Sequence, residues 1–114
     1  MQEAKAKTKY VRISPYKARR SADLIRNMLV EEALLQLKLS NLKGSRLLKK
    51  TLDSAIANAQ NKFDVKKEKL KIAEVRVDQG PTLKRSKPRN RGGQVPIKKR
   101  TSHFTIVLTT TEEK

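Results

Sequence analysis

The segment from Gln79 to Thr111 contains no Asp or Glu, yet it carries Lys84, Arg85, Lys87, Arg89, Arg91, Lys98, Lys99 and Arg100. Its middle is nearly empty of core material, and Gly80-Pro81, Pro88, Gly92-Gly93 and Pro96 interrupt any helical pattern. On either side the chain reads as strand. Ala73, Val75 and Val77 alternate with Glu74, Arg76 and Asp78 before it, and Phe104, Ile106 and Leu108 restore the alternation before the acidic Glu112-Glu113. The economical topology is an antiparallel pair that starts in a domain sheet and runs outward as a long hairpin at about residues 79 to 103, turning near Gly92-Gly93. At about 3.3 Å per residue, arms of roughly ten residues project on the order of 30 Å. So little apolar surface offsets backbone ordering in such a ribbon that it is expected to take its shape on a partner.

The rest of the chain supplies a core for one small domain. In residues 4 to 13, Ala4, Ala6, Thr8 and Tyr10 share one parity and Lys5, Lys7 and Lys9 the other, the period of a half-buried strand. Ser14-Pro15 is a helix start, because Ser accepts from free amide groups and Pro tolerates the first helical position. That helix is expected to run to about Arg26, with Ala18, Ala22 and Ile25 as its buried stripe. Val30, Ala33, Leu34 and Leu37 predict a second helix over 30–39, where Glu31 and Glu32 suit the positive N-terminal end. Ser40 or Asn41 is expected to cap a third and longest helix with Leu48, Leu52, Ala55, Ile56 and Ala59 on its inner stripe and a tolerable Gly44 in its first turn. The stretch KFDVKKEK reads as a polar connection. The fold class is therefore α+β: residues 1–114 form a single small domain of three helices on a small antiparallel sheet, plus a protruding basic β-hairpin.

Charge narrows the partner. The formal net charge is +17, from 28 Lys and Arg against 11 Asp and Glu, and a compact surface so unbalanced repels itself unless a polyanion neutralises it. Nucleic acid fits, since clustered cations on phosphates release condensed counterions. A membrane does not: the longest apolar runs are the size of Met28-Leu29-Val30 and Ile106-Val107-Leu108, against roughly 20 residues for a spanning helix. The N-terminal MQEAKAKTKY has no apolar signal segment and carries Glu3, so a cytoplasmic location is expected. With no cysteine, a single His103 and no carboxylate cluster beside it, neither a disulfide framework nor a metal site is expected. Nor does a catalytic pair emerge. Glu31 and Glu32 are adjacent on a helix and point apart, Ser14 near Lys17 is better explained as a cap, and Gly92-Gly93 lacks the spacing of a nucleotide-binding loop. No cofactor is implied.

Several separate segments resemble one known family in order and spacing. YVRISPYKARRSADLIRNM, VEEALLQL, SAIANAQ, VDQGPTLKRSKPR and KRTSHFTIVL together resemble the bacterial form of the universal large-subunit ribosomal protein twenty-two. The resemblance covers nearly the whole chain and implies a three-helix α/β domain with an extended hairpin. It also implies a non-enzymatic role: a structural constituent of the large ribosomal subunit that binds its rRNA, supports assembly and lines the peptide exit tunnel. Implied partners are large-subunit rRNA, neighbouring large-subunit proteins and the nascent polypeptide at the hairpin tip, with no membrane and no homo-oligomer. The implied place is the cytoplasmic ribosome, with a plastid ribosome as the alternative that the resemblance also allows. Lys84, Arg85, Pro88 and Arg89 match the first arm, and Lys99, Arg100, Thr101, Ser102 and His103 the returning arm. By the same resemblance Pro88, Arg89, Asn90, Arg91, Gly92, Gly93 and Gln94 are expected to form the tunnel-lining tip. The chain departs from the family pattern at Gly93 to Pro96, and Asn27 stands where the family usually has glycine.

The rRNA-binding candidates are the hairpin cations Lys84, Arg85, Lys87, Arg89, Arg91, Lys98, Lys99 and Arg100, joined by Lys9, Arg12, Lys17, Arg19, Arg20 and Arg26 on the body. Arg presents a planar fork to phosphate and stacks on bases, whereas Lys acts as a mobile point charge. With two Tyr, two Phe and no Trp, stacking of bases on a sheet is a poor main mode, which leaves shape and phosphate recognition. For Lys17, Arg19, Arg20 and Arg26 the competing explanation is an ordinary solvated helix face. For Lys5, Lys7 and Lys9 it is an edge strand protected against aggregation. The alternative function is a DNA-architectural protein whose β-arms enter a groove and wedge Pro88 or Pro96 between base steps.

Overall fold

Alternating small and charged residues make β1 (Glu3–Val11) the first strand of a computed structural model that describes residues 3–63, 67–88 and 94–110. Three helices follow, α1 (Pro15–Asp23), α2 (Val30–Leu39) and α3 (Lys43–Phe63), then a 3-10 turn at Lys67–Lys69. The chain continues through β2 (Leu70–Gln79), β3 (Leu83–Pro88), β4 (Gln94–Lys99) and β5 (Ser102–Thr110). The body sheet has the order β1-β5-β2, antiparallel throughout, and β3-β4 form a separate two-stranded sheet. The α+β class expected of the sequence is the class the structure shows.

β5 occupies the centre, which explains why its run is the most apolar in the chain. Phe104, Ile106 and Leu108 are fully buried against the helices, where they meet Ala4 and Ala6 of β1 and Leu70, Ile72, Val75 and Val77 of β2. Two bulges break the simple alternation. Between Thr8 and Val11 the β1 register shifts, Tyr10 takes φ 60° and its ring turns out to solvent, 63% exposed, instead of joining the inward parity. Between Ile72 and Glu74 the β2 register shifts in the same way, so Ala73 is exposed, and the buried face starts with Leu70 and Ile72 on the opposite parity. An extra residue in one strand reverses parity beyond it, which is why neither face follows from counting.

The helices cover one side of this sheet. Ser14 caps α1, its Oγ accepting from the Lys17 N–H at 3.4 Å with Pro15 at the helix start. α1 ends at Asp23 rather than near Arg26: Leu24 and Ile25 donate to the carbonyls of Ser21 and Ala22, tightening the last turn, and Asn27 at φ 61° reverses the chain. α2 has the expected bounds and buries Val30, Ala33 and Leu37. Ser40 Oγ accepts from the Leu42 N–H at 3.2 Å just ahead of α3, whose inner stripe of Leu48, Leu52, Ala55, Ile56 and Ala59 is buried as expected. Gly44 is more than tolerable: a Cβ there would sit 2.8 Å from Ser21 Oγ, 3.2 Å from Ile13 Cδ1 and 3.4 Å from Ala18 Cα, so its bareness lets α3 start against α1.

Both outer edges of the sheet are stoppered, by side chains of α1 and α3 and by the segment that follows α1. On β1, Asn58 Nδ2 donates to Lys5 O at 3.1 Å and Lys62 Nζ to Glu3 O at 2.8 Å, both from α3. On β2, Arg19 Nη2 donates to Val77 O at 3.1 Å, Arg26 Nη1 to Val75 O at 2.7 Å, and the Ile72 N–H reaches Met28 O at 3.0 Å. Unpaired edge carbonyls would otherwise template further strands.

The hairpin leaves the body through a closed joint. Gly80 N–H donates to Thr101 O at 3.0 Å, Thr101 Oγ1 to Pro81 O at 2.6 Å, and the buried Ser102 Oγ to Ile13 O at 2.7 Å. Beyond it β3 and β4 pair from Leu83 with Lys99 to Pro88 with Gln94. Each arm spans six residues and not the longer run that the sequence suggests, because Gly80-Pro81 and Arg100-Thr101 interrupt the ladder. The Arg89–Gly93 part of the expected turn lies outside the described residues. The molecule measures 70 × 25 × 17 Å with a radius of gyration of 17.3 Å, against about 13 Å for a compact chain of this length.

Candidate nucleic-acid interface

A cationic cleft of about 450 Å³ opens where the body meets the hairpin. Four separate segments bring cations to it: Arg12 from the end of β1, Lys17 and Arg20 from α1, Lys43 from the first turn of α3, and Lys99 and Arg100 from the return of the hairpin. Ile13, Ser14, Leu42 and Gly44 complete the lining, and none of the lining residues is acidic. The six cations are all exposed, so their charge is available to solvent or to an anion.

Helix geometry adds to this field. The first turn of a helix leaves backbone N–H groups without intrahelical partners and carries roughly half a positive charge. α1 and α3 both begin at the cleft, and both lack an acidic residue in the first turn, whereas α2, which begins elsewhere, has Glu31 and Glu32 there. The close start of α3 depends on a buried hydroxyl relay in which Ser45 Oγ donates to Ser21 Oγ at 3.1 Å and lies 2.8 Å from Ser40 Oγ.

Not every predicted cation lies there. Lys9 stands on β1 with Lys5 and Lys7; all three are exposed, Lys5 and Lys7 on the face opposite the buried Ala4 and Ala6, and none of the three has a carboxylate within ion-pair distance among the described residues. Across that face Arg76 lies between Glu74, at 3.5 Å, and Asp78, at 3.4 Å, so its charge is matched within its own strand. Arg19 and Arg26 hold the β2 edge, and Arg26 Nε also donates to Asp23 Oδ1 at 2.9 Å. Lys84, Arg85 and Lys87 lie on β3 and Lys98 on β4, with Lys84 and Lys98 at facing register positions. Pro88 and Gln94 close the described part of the hairpin, while Arg89, Asn90, Arg91, Gly92 and Gly93 fall outside the described residues.

His103 has a structural task at the joint. Its Nδ1 accepts from the Tyr10 N–H at 3.1 Å, which puts the ring proton on Nε2, and its ring meets the Tyr10 ring edge-on with centroids 5.1 Å apart. Among the described residues no group of three or more His, Cys, Asp or Glu is placed to hold a metal ion, and no helix is long and apolar enough to cross a membrane.

The sequence that builds this body and ribbon has known counterparts. A family model described as ribosomal protein L22p/L17e matches residues 6–109. The chain belongs to the ribosomal protein L22p/L17e family. Among the L22p/L17e relatives, the large ribosomal subunit protein uL22 of Protochlamydia amoebophila strain UWE25 is 64% identical over 108 residues, covering 95% of this chain and 97% of that protein. The protein of the same name from Chlamydia abortus is 55% identical over 104 residues, 91% of this chain and 94% of that one. The L22p/L17e match spans the cleft, the joint and both arms of the hairpin.

Sequence reasoning passes over one cleft residue, Lys43. A signal for it exists: a lysine in a helix first turn opposes the helix dipole, so its presence there suggests that something other than helix stability is served.

Proposed function

We propose that the chain is a structural, non-catalytic constituent of the large ribosomal subunit that binds large-subunit rRNA and supports its assembly. The observation that carries this is the 64% identity, over nearly its whole length, to a protein named for that subunit. The physical chemistry agrees. A net charge of +17 on a 13.0 kDa chain needs a polyanionic surrounding, and rRNA supplies phosphates from several helices at once. Phosphate positioning by Lys and Arg, rather than base readout, is the mode that the cleft and the β1 lysines favour.

The hairpin carries the finer part of the proposal. Threaded between rRNA segments, it reaches the peptide exit tunnel, and Pro88 to Gln94 line the wall beside the nascent chain. Lys84, Arg85, Lys87, Arg89, Arg91 and Lys98 neutralise the phosphates along the way. Like charges at facing positions such as Lys84 and Lys98 destabilise an isolated antiparallel pair, which favours a polyanion around this one. The protein then resides in the cytoplasm as part of the ribosome, beside neighbouring ribosomal proteins.

Sedimentation tests the assignment: the tagged protein should travel with large subunits through a high-salt wash. Recovery solely from the ribosome-free fraction of growing cells would overturn it.

A further inference from the structure

We propose that the cleft at the base of the hairpin is a saddle for the sugar-phosphate backbone of one RNA strand. The inference deepens the function proposed above and rests on it, since it assigns a particular place on the body to rRNA contact.

Three independent features lead there. The first is convergence: Arg12, Lys17, Arg20, Lys43, Lys99 and Arg100 arrive from the residue after β1, from α1, from α3 and from the hairpin at one concavity that no carboxylate lines. Gathering six like charges from four segments opposes folding unless an anion compensates it. The second is the pair of helix starts. α1 and α3 place the positive ends of two dipoles at the same opening, and neither helix quenches its own end with an acidic first turn as α2 does. Helix N-termini of this kind receive phosphate through backbone N–H groups. The third is close approach: the bare Gly44, against Ile13, Ala18 and Ser21, is what brings the start of α3 to the start of α1. The saddle is therefore built by tertiary packing and is not a side effect of an extended basic tail.

Size and openness suit a strand better than a free ion. About 450 Å³ exceeds what one phosphate needs, and the six exposed cations around it are more than a single phosphate neutralises. Because Lys99 and Arg100 belong to the hairpin and the other four to the body, a strand lying in the saddle touches both parts at once.

The test is a comparison of two charge-matched variants of the full chain. Lys17→Gln with Lys43→Gln removes two cleft charges; Lys38→Gln with Lys50→Gln removes two exposed charges from α2 and α3 away from the cleft. Binding to protein-free large-subunit rRNA is measured across a salt series. The cleft pair should weaken binding about tenfold or more and make the log-log salt slope shallower by about two, while the other pair changes affinity less than about threefold. Lys17→Arg with Lys43→Arg should restore wild-type binding, which separates removal of charge from failure to fold. Equal effects of the two Gln pairs, or failure of the Arg pair to restore binding, overturn the saddle while leaving ribosomal function standing. Failure of the wild-type chain to bind the rRNA overturns both.

Discussion

Asn27 shows how one side chain type follows from one backbone angle. At φ 61° an ordinary L-residue suffers a clash of Cβ with the following carbonyl, whereas Asn tolerates the left-handed region and Gly has no penalty. Asn27→Ala should therefore cost about 1 kcal/mol, and Asn27→Gly should be neutral or slightly stabilising, by denaturant titration of the free protein. Gly44 is a different case, because close packing and not dihedral angle demands it. Ala is the better helix former by about 1 kcal/mol in a helix interior, yet its Cβ would press on Ser21 Oγ at 2.8 Å and disturb the Ser45 relay. Overpacking of this kind typically costs about 1 to 3 kcal/mol, so Gly44→Ala should lower the unfolding midpoint despite its propensity. Neither demand is visible in residue order alone: the neighbours of Gly44 lie on α1 and on the segment before it.

At the scale of elements, what the sequence shows is what repeats locally. Val30, Ala33 and Leu37 mark α2 to its ends, the Ser14-Pro15 start of α1 is a local chemical signal, and the SAIANAQ stripe of α3 reads directly as a buried face. The bulges at Tyr10 and Ala73 do not read in this way, because a bulge is defined by the partner strand and β5 is distant in the chain from both. The same limit divides the predicted cations. Lys17 and Arg20 reach the cleft while Arg19, between them in sequence, turns to the β2 edge with Arg26. A charged donor on a carbonyl contributes on the order of 1 to 3 kcal/mol, with the lower end expected for partly exposed arginines. Arg26→Gln should accordingly lower the stability of the free protein by about 1 kcal/mol, while rRNA affinity falls less than in the cleft pair. A thermal scan beside the salt series distinguishes the two outcomes.

At the scale of the whole molecule, body and ribbon should respond to different perturbations. Arg89 and Arg91 lie in sequence between β3 and β4, away from every segment that supplies the core, so replacing both with Ala should leave the unfolding free energy of the isolated chain within about 0.5 kcal/mol. The same change should weaken rRNA binding and make its salt slope shallower, by about one for each phosphate no longer neutralised. Leu52→Ala should do the reverse. It empties a fully buried position under the sheet at a cost of about 2 to 5 kcal/mol, and it affects RNA binding only through the fraction of chains unfolded.

The path of β5 has a mechanical consequence. The central strand of the body is covalently continuous, through Thr101 and Arg100, with the returning arm of the ribbon, and β2 feeds the outgoing arm. A tug on the ribbon along its length therefore arrives as shear on the antiparallel ladder between β5 and β1, where many bonds must fail together, and not as peeling from one end. A finger rooted in this way transmits tension to the centre of its own body.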